Sequence, residues 1–197
     1  MGLATINFVK EGEQPKAGGM RKLKDVINDE IDAWSELKHP NVVKALTWFE
    51  HPNENKMYLR MQLADLGCIQ SLTAEDQENM VFRPNQKVYD FVLDKLNTNE
   101  ELKTSNFGAE CKSDNERVMK FIFCQIAQGV EYLHTQNVAN RDLKPENMLF
   151  TTKKGGTDNR LFDRAQITDF TTALKVPDED SMISDSAGTK LFEAPEV

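Results

Sequence analysis

The spacing of apolar residues changes several times along the chain, and each change marks a predicted element. From Arg21 to Lys38, the residues Leu23, Val26, Ile27, Ile31, Trp34 and Leu37 recur at intervals of three and four, which predicts one buried face of a helix. His39-Pro40 closes it, because the residue before a proline is biased away from helical geometry. Residues 42–50 and 57–63 read as strands joined by the turn HPNENK. In the second strand Met57, Leu59, Met61 and Leu63 alternate, as a half-buried strand requires. A further short strand is predicted at 4–10, followed by a polar Gly/Pro-rich linker, EGEQPKAGGM. Between 71 and 115 the chain is polar and rich in Asn, Asp and Glu, with a helical piece at 88–96. From Glu116 to Thr135, Val118, Ile122, Ile126, Gly129, Val130 and Leu133 define a second long helical face, with Asn115 or Asp114 as its N-cap. The reading divides the chain into 1–20, 21–64, 65–115 and 116–197.

Composition narrows the function classes. The 197 residues are 39% hydrophobic and 28% charged, ordinary for a globular chain of one domain or two small lobes. A net charge of −8 disfavours a nucleic-acid or anionic-membrane surface. Three cysteines without a C-x-x-C pair argue against a disulfide framework and point to a reducing compartment, so cytoplasmic localisation is expected, with the nucleus as the alternative. No apolar run reaches the length of a membrane span. MGLATI misses the myristoylation pattern, since Ile6 stands where Ser or Thr is needed.

The chemistry concentrates at 140–150, NRDLKPENMLF, where Asp142, Lys144 and Asn147 fall within six positions. Phosphoryl transfer asks a protein for an oriented acceptor hydroxyl, a cation on the moving group and oxygen ligands for magnesium, and this segment offers one residue type for each. The string resembles the H-R-D-L-x-x-x-N catalytic loop of eukaryotic protein kinases, with Asn140 in place of histidine. TDFTTA at 168–173 resembles the magnesium-binding D-F-G segment, and GTKLFEAPEV at 188–197 resembles the end of an activation segment with its A-P-E. The run E-I-D-A-W…L-K-H-P-N-V-V looks most like the calcium/calmodulin-dependent protein kinase kinases.

This resemblance implies an α+β, protein-kinase-like, partial bilobal domain: a small N-lobe sheet with its helix, then a mainly helical C-lobe that stops after the activation segment. It implies ATP and Mg²⁺ as cofactors and a protein as substrate. Asp142 would orient the acceptor hydroxyl and take its proton, and Lys144 would meet the γ-phosphate, a lysine that marks Ser/Thr specificity. Asn147 and Asp169 would hold the metal. Gln62, Leu63 and Ala64 would form the hinge against the adenine, with Met61 guarding the back of the pocket. Glu30 would match the glutamate that holds the ATP-binding lysine. Arg141 would pair with a phosphate on the activation segment, where Ser186 occupies the position at which an upstream kinase acts.

Four departures qualify the picture. No G-x-G-x-x-G precedes the first long helix, and aligning ATINF with the V-A-I-K strand puts Asn7 at the lysine position, with Lys10 three residues late. The loop histidine is Asn140, and the D-F-G glycine is Thr171, whose β-branch resists unusual backbone angles. Finally, the sequence stops at A-P-E-V, which leads to the expectation of a domain incomplete at both ends with apolar surface of the second long helix facing water. Two functions follow: a Ser/Thr protein kinase, or a catalytically impaired pseudokinase serving as an interaction module.

Overall fold

The computed structural model describes residues 2–7, 13–16, 19–22, 31, 34–51, 56–71, 83–104, 110–152, 163–176 and 187–195. Three strands, β1 (Gly2–Asn7), β4 (Ala45–Glu50) and β5 (Lys56–Met61), form an antiparallel sheet of order β1-β5-β4. The strand that aligns with V-A-I-K is thus the direct neighbour of the strand entering the hinge, with Asn7 opposite Lys56. Residues 13–16 and 19–22 pair as an antiparallel hairpin, β2 and β3, rather than forming a structureless linker. Consequently Arg21 and Lys22 belong to a strand, and the helical turn that remains described covers Trp34–Glu36.

Past the hinge, short strands β6 (Gly67–Cys68), β7 (Gln70–Ser71) and β8 (Arg83–Pro84) lead into helix α1 (Gln86–Thr98) and the brief α2 (Glu100–Thr104). Asn85 caps α1, accepting from the Lys87 N–H at 3.1 Å, while its amide nitrogen donates to the carbonyls of Leu66 and Cys68 at 2.8 Å each. The long helix α3 spans Asp114–Thr135. Its cap is Ser113, one residue before Asp114 and two before Asn115, the sequence candidates: Ser113 Oγ accepts from the Glu116 N–H, and the Glu116 carboxylate reaches back to the Lys112 N–H at 2.6 Å. Ser-x-x-Glu is a reciprocal cap, which outcompetes the Asp and Asn that follow. Strand β9 (Val138–Ala139), the catalytic-loop segment, β10 (Met148–Thr151), β11 (Arg164–Ile167) and β12 (Leu174–Lys175) follow, giving sheets of order β11-β10-β6 and β12-β9.

The core runs through both halves without a break. Val88, Val92 and Leu96 of α1 join Val118, Ile122, Ile126 and Leu133 of α3, then Phe150, Ala165 and Ile167, and finally Trp34, Leu37, Val42 and Val43. Gly129 is what lets α3 lie so close. A Cβ there would come within 2.9 Å of the Asn41 carbonyl oxygen and 3.0 Å of Ile167 Cδ1. The opposite side of α3 is open: Phe123 is 69% exposed, and a cavity of about 1040 Å³ runs past Met119, Phe123, Val130 and Leu143, in line with the expectation of uncovered apolar surface. Cys68, Cys111 and Cys124 are free thiols, and among the described residues no helix is long and apolar enough to cross a membrane.

The turn after Glu36 ties the two halves. Trp34 is 4% exposed, its indole N–H donates to the Val43 carbonyl at 2.8 Å, and its ring packs on Phe170 at a centroid distance of 4.9 Å. Trp34→Phe should cost about 1–3 kcal/mol, because it leaves the buried Val43 carbonyl without this partner, and Trp34→Ala about 3–5 kcal/mol, as measured by urea denaturation. His39 stacks on Tyr132 at 4.7 Å and accepts the Asn41 N–H on Nδ1. Burial and then the Arg164 charge lower its pKa below the ordinary 6.5, against a weaker raising by Glu131. A histidine kept neutral in the fold stabilises fully above its unfolded pKa, and that part is lost as pH falls through the lowered value. Stability of the native chain should therefore decline more steeply below pH 6.5 than that of His39→Gln; parallel curves would show that His39 does not titrate differently on folding.

Candidate active site

Between β9 and β10 the backbone makes a loop held open by its own polar groups. A 3-10 turn at Pro145–Asn147, with proline in the first position where no N–H is needed, aims Asn147 back at the start of the loop. Its side-chain amide donates to the Asp142 carbonyl at 3.0 Å and to Asp142 Oδ2 at 2.9 Å. Lys144 Nζ lies 2.8 Å from that same oxygen. On the other oxygen, Oδ1, the Thr189 N–H arrives at 2.9 Å and the Thr189 hydroxyl at 2.7 Å. The Thr189 hydroxyl in turn accepts from Lys144 Nζ at 2.7 Å.

Asp142 is 8% exposed. Burial alone would raise its pKa, but the Lys144 and Thr189 hydrogen bonds, the Lys144 charge and the Asn147 amide outweigh it and hold the carboxyl below its ordinary value. The group is therefore ionised at neutral pH and fixed in one orientation by donors on each oxygen. Together Asp142, Lys144 and Asn147 form one hydrogen-bonded cluster, and they were all legible in the sequence.

Asp169 comes alongside through the backbone. The Thr168 N–H donates to the Asn147 carbonyl at 2.9 Å, and Asp169 itself takes a left-handed φ of 60°. Its Oδ1 accepts the Thr171 hydroxyl at 2.7 Å and the Thr171 N–H at 3.3 Å. The left-handed angle falls on Asp169 and not on Thr171, so the β-branched residue is not asked for a glycine-like backbone. Arg141 is left-handed as well, at φ 66°, and such non-glycine angles cost about 1–3 kcal/mol unless the surroundings enforce them. Here Arg141 Nε donates to the Thr172 carbonyl at 2.7 Å.

The remaining sequence candidates are dispersed or undescribed. Met61 stands over the same segment, its sulfur 3.9 Å from Thr168 Oγ1. The Gln62 N–H donates to the Lys44 carbonyl at 3.0 Å, and the Ala64 carbonyl accepts from Gly67 at 3.3 Å. Just after them, Asp65 accepts from Thr151 Oγ1, the Thr152 N–H and Thr152 Oγ1 at 2.9, 2.8 and 2.6 Å, fastening the hinge to the end of β10. Glu30 and Ser186 lie outside the described residues, so neither the glutamate pairing nor the phosphate site for Arg141 is visible.

Two contributors were not foreseen in these roles. Thr189 was given no role from the sequence; the Gly-Thr pair ahead of A-P-E was the available signal. Asn140 entered only as a lost histidine, yet it is 5% exposed and bonded at both ends of its amide.

Gly188 makes the Thr189 contact geometrically feasible. Its φ is 117°, and a Cβ would fall 2.2 Å from the Arg141 carbonyl oxygen. Gly188→Ala should therefore push Thr189 off Asp142 and raise the carboxyl's pKa toward its ordinary value. The check is the Asp142 carboxyl titration followed by NMR; an unchanged midpoint would mean that Thr189 stays docked.

Comparison with known proteins agrees with this geometry. The protein kinase domain family matches residues 6–197. Calcium-dependent protein kinase 3 of Plasmodium yoelii yoelii is 31% identical over 98% of this chain, and the probable serine/threonine-protein kinase fhkA of Dictyostelium discoideum is 29% identical over 99%. A calcium/calmodulin-dependent protein kinase kinase of Caenorhabditis elegans is 27% identical over 95% of the chain. The chain spans 28%, 30% and 26% of the length of these three relatives. With a family match along nearly its whole length, and with the loop, D-F and A-P-E motifs following in that order in its sequence, this chain belongs to the protein kinase domain family.

Proposed function

We propose that the chain supports Ser/Thr protein kinase chemistry, moving the γ-phosphoryl group of ATP to a protein hydroxyl within a signalling cascade. The single observation that carries the reading is the Asp142–Lys144–Asn147–Thr189 cluster, an ionised carboxylate and an ammonium held 2.8 Å apart at the mouth of the catalytic loop. In this reading Asp142 orients the acceptor hydroxyl and receives its proton as the new O–P bond forms and the bond to the β-phosphate oxygen breaks. Lys144 supplies a compact positive charge to the γ-phosphate oxygens. The hinge at Met61–Ala64 faces the adenine.

The donor set suits magnesium. Asn147 uses its amide nitrogen on Asp142, leaving Oδ1 as the ligand atom, and Asp169 uses Oδ1 on Thr171, leaving Oδ2. One amide and one carboxylate oxygen, with phosphate and water completing the shell, is a magnesium-like arrangement, and no cluster of three or more His, Cys, Asp or Glu ligands occurs among the described residues. The ion, when bound, neutralises charge on the phosphates.

The test is transfer from γ-labelled ATP to a generic Ser/Thr protein substrate. Asp142→Asn should lower the rate about 10²–10⁴-fold while leaving MgATP-induced thermal stabilisation in place. Stabilisation by MgATP with no transfer by the native chain would reject catalysis and favour the pseudokinase alternative, an interaction module that retains the lobe architecture.

A further inference from the structure

Two residues after Asp169 stands a threonine whose side chain turns back onto the carboxylate. The Thr171 hydroxyl donates to Asp169 Oδ1 at 2.7 Å, and the Thr171 N–H meets the same oxygen at 3.3 Å. A carboxylate oxygen carries two lone pairs, so both of those on Oδ1 are engaged. A glycine at this place would bring the N–H alone and leave one lone pair open. Phe170, between the two partners, is 2% exposed and packs on Trp34, which anchors the backbone that joins them. Asn147 is committed in a similar way, its amide nitrogen donating to the Asp142 carbonyl and to Asp142 Oδ2. Among the described hydrogen bonds, Asn147 Oδ1 and Asp169 Oδ2 are left to a divalent ion.

We propose that the Thr171 hydroxyl makes Asp169 a one-oxygen ligand, so that the site holds a single divalent ion with the nucleotide and disfavours a second. The proposal rests on the magnesium and phosphoryl-transfer reading of the site, and it gives a function to a side chain that the sequence marks only as a departure. Magnesium keeps much of its shell as water and phosphate, so one amide oxygen and one carboxylate oxygen are enough for one ion. A second ion shared by the same carboxylate would need Oδ1, and there it competes with the hydroxyl. A hydrogen bond to a charged group is strong enough to weaken such a competitor about 10–100-fold. The backbone N–H is common to every residue type at this position except proline, so the hydroxyl is the part that sets the difference.

Substitution separates the hydroxyl from the rest of the side chain. Thr171 is exposed, so neither replacement disturbs the core. Thr171→Val keeps the β-branch and removes the donor, while Thr171→Ser keeps the donor and removes the branch. The measurement is Mn²⁺ uptake by EPR on the full chain with a non-hydrolysable ATP analogue. The chain is held in excess over the analogue, and uptake by the chain alone is subtracted. The native chain should take up one Mn²⁺ per analogue. Thr171→Val should take up a second, with an affinity about 10–100-fold above any second uptake by the native chain. Thr171→Ser should return the count to one.

A threonine that serves only the local backbone would be replaced equally well by valine, and an unchanged count in that variant would overturn the proposal. So would two ions per analogue in the native chain, no ion at all, or a second ion in Thr171→Ser. If the native chain takes up one ion and transfers no phosphate, the catalytic reading fails, and the counts in the two variants still decide the role of Thr171. Should the native chain transfer phosphate while both variants match its ion count, the role of the hydroxyl alone is wrong.

Discussion

A short stretch of backbone, Asn41 to Val43, has to leave water on both sides at once, and the structure is arranged around satisfying it. Val43 N–H donates to Ile167 O and Ile167 N–H to Asn41 O, each at 2.9 Å, a parallel bridge between one strand entry and β11. The Val43 carbonyl takes the Trp34 indole, and the Asn41 side chain donates to Ala165 O at 2.8 Å and to Gln125 at 3.3 Å. A buried peptide group left unpaired costs more than a typical hydrogen bond contributes, so these partners are obligatory. Because Ile167 lies two residues before Asp169, the same bonds that tie the N-terminal sheet to α3 also set the height of the segment that carries Asp169.

From that junction the site is reached by short covalent paths. Ile167 leads through Thr168 to Asp169, and Thr168 is pinned by Asn147, which is itself pinned to Asp142. Phe170 turns inward at 2% exposure and meets Trp34, so a ring from each half closes the gap behind the carboxylates. Packing of α3 is a precondition: Gly129 allows the helix to approach Asn41, and Tyr132 accepts the Lys38 N–H at 2.8 Å. The apolar core and the polar cluster are thus two faces of one arrangement.

Much of this was readable from letters alone. The face of α3 followed from three- and four-residue spacing, the helical piece at 88–96 lies within α1, and the alternating strand at 57–63 became β5. Asp142, Lys144 and Asn147 were singled out together because residue types at fixed spacing within one loop leave a local trace in the sequence. Other features were invisible because they depend on residues distant in sequence. Thr189 reaches Asp142 across 47 positions and Asn140 reaches Asp169 across 29, and no periodicity encodes such meetings. The β2–β3 pairing was not foreseen because Gly, Pro and Lys suggest a linker, whereas Glu13–Lys16 lie in antiparallel register with Gly19–Lys22 without any apolar alternation to announce it. The cap of α3 was missed by one or two residues because three successive side chains can each serve, and the bond from the Lys112 N–H to Glu116 favours Ser113 among them.

The approach of Gly188 to Arg141 carries a mechanical implication. A Cβ there would stand only 2.2 Å from a carbonyl oxygen, so the seat admits a bare backbone and nothing larger. Both Thr189 donors reach the carboxylate through that clearance, which makes the absence of a side chain at one position a condition for the hydrogen bonds made at the next.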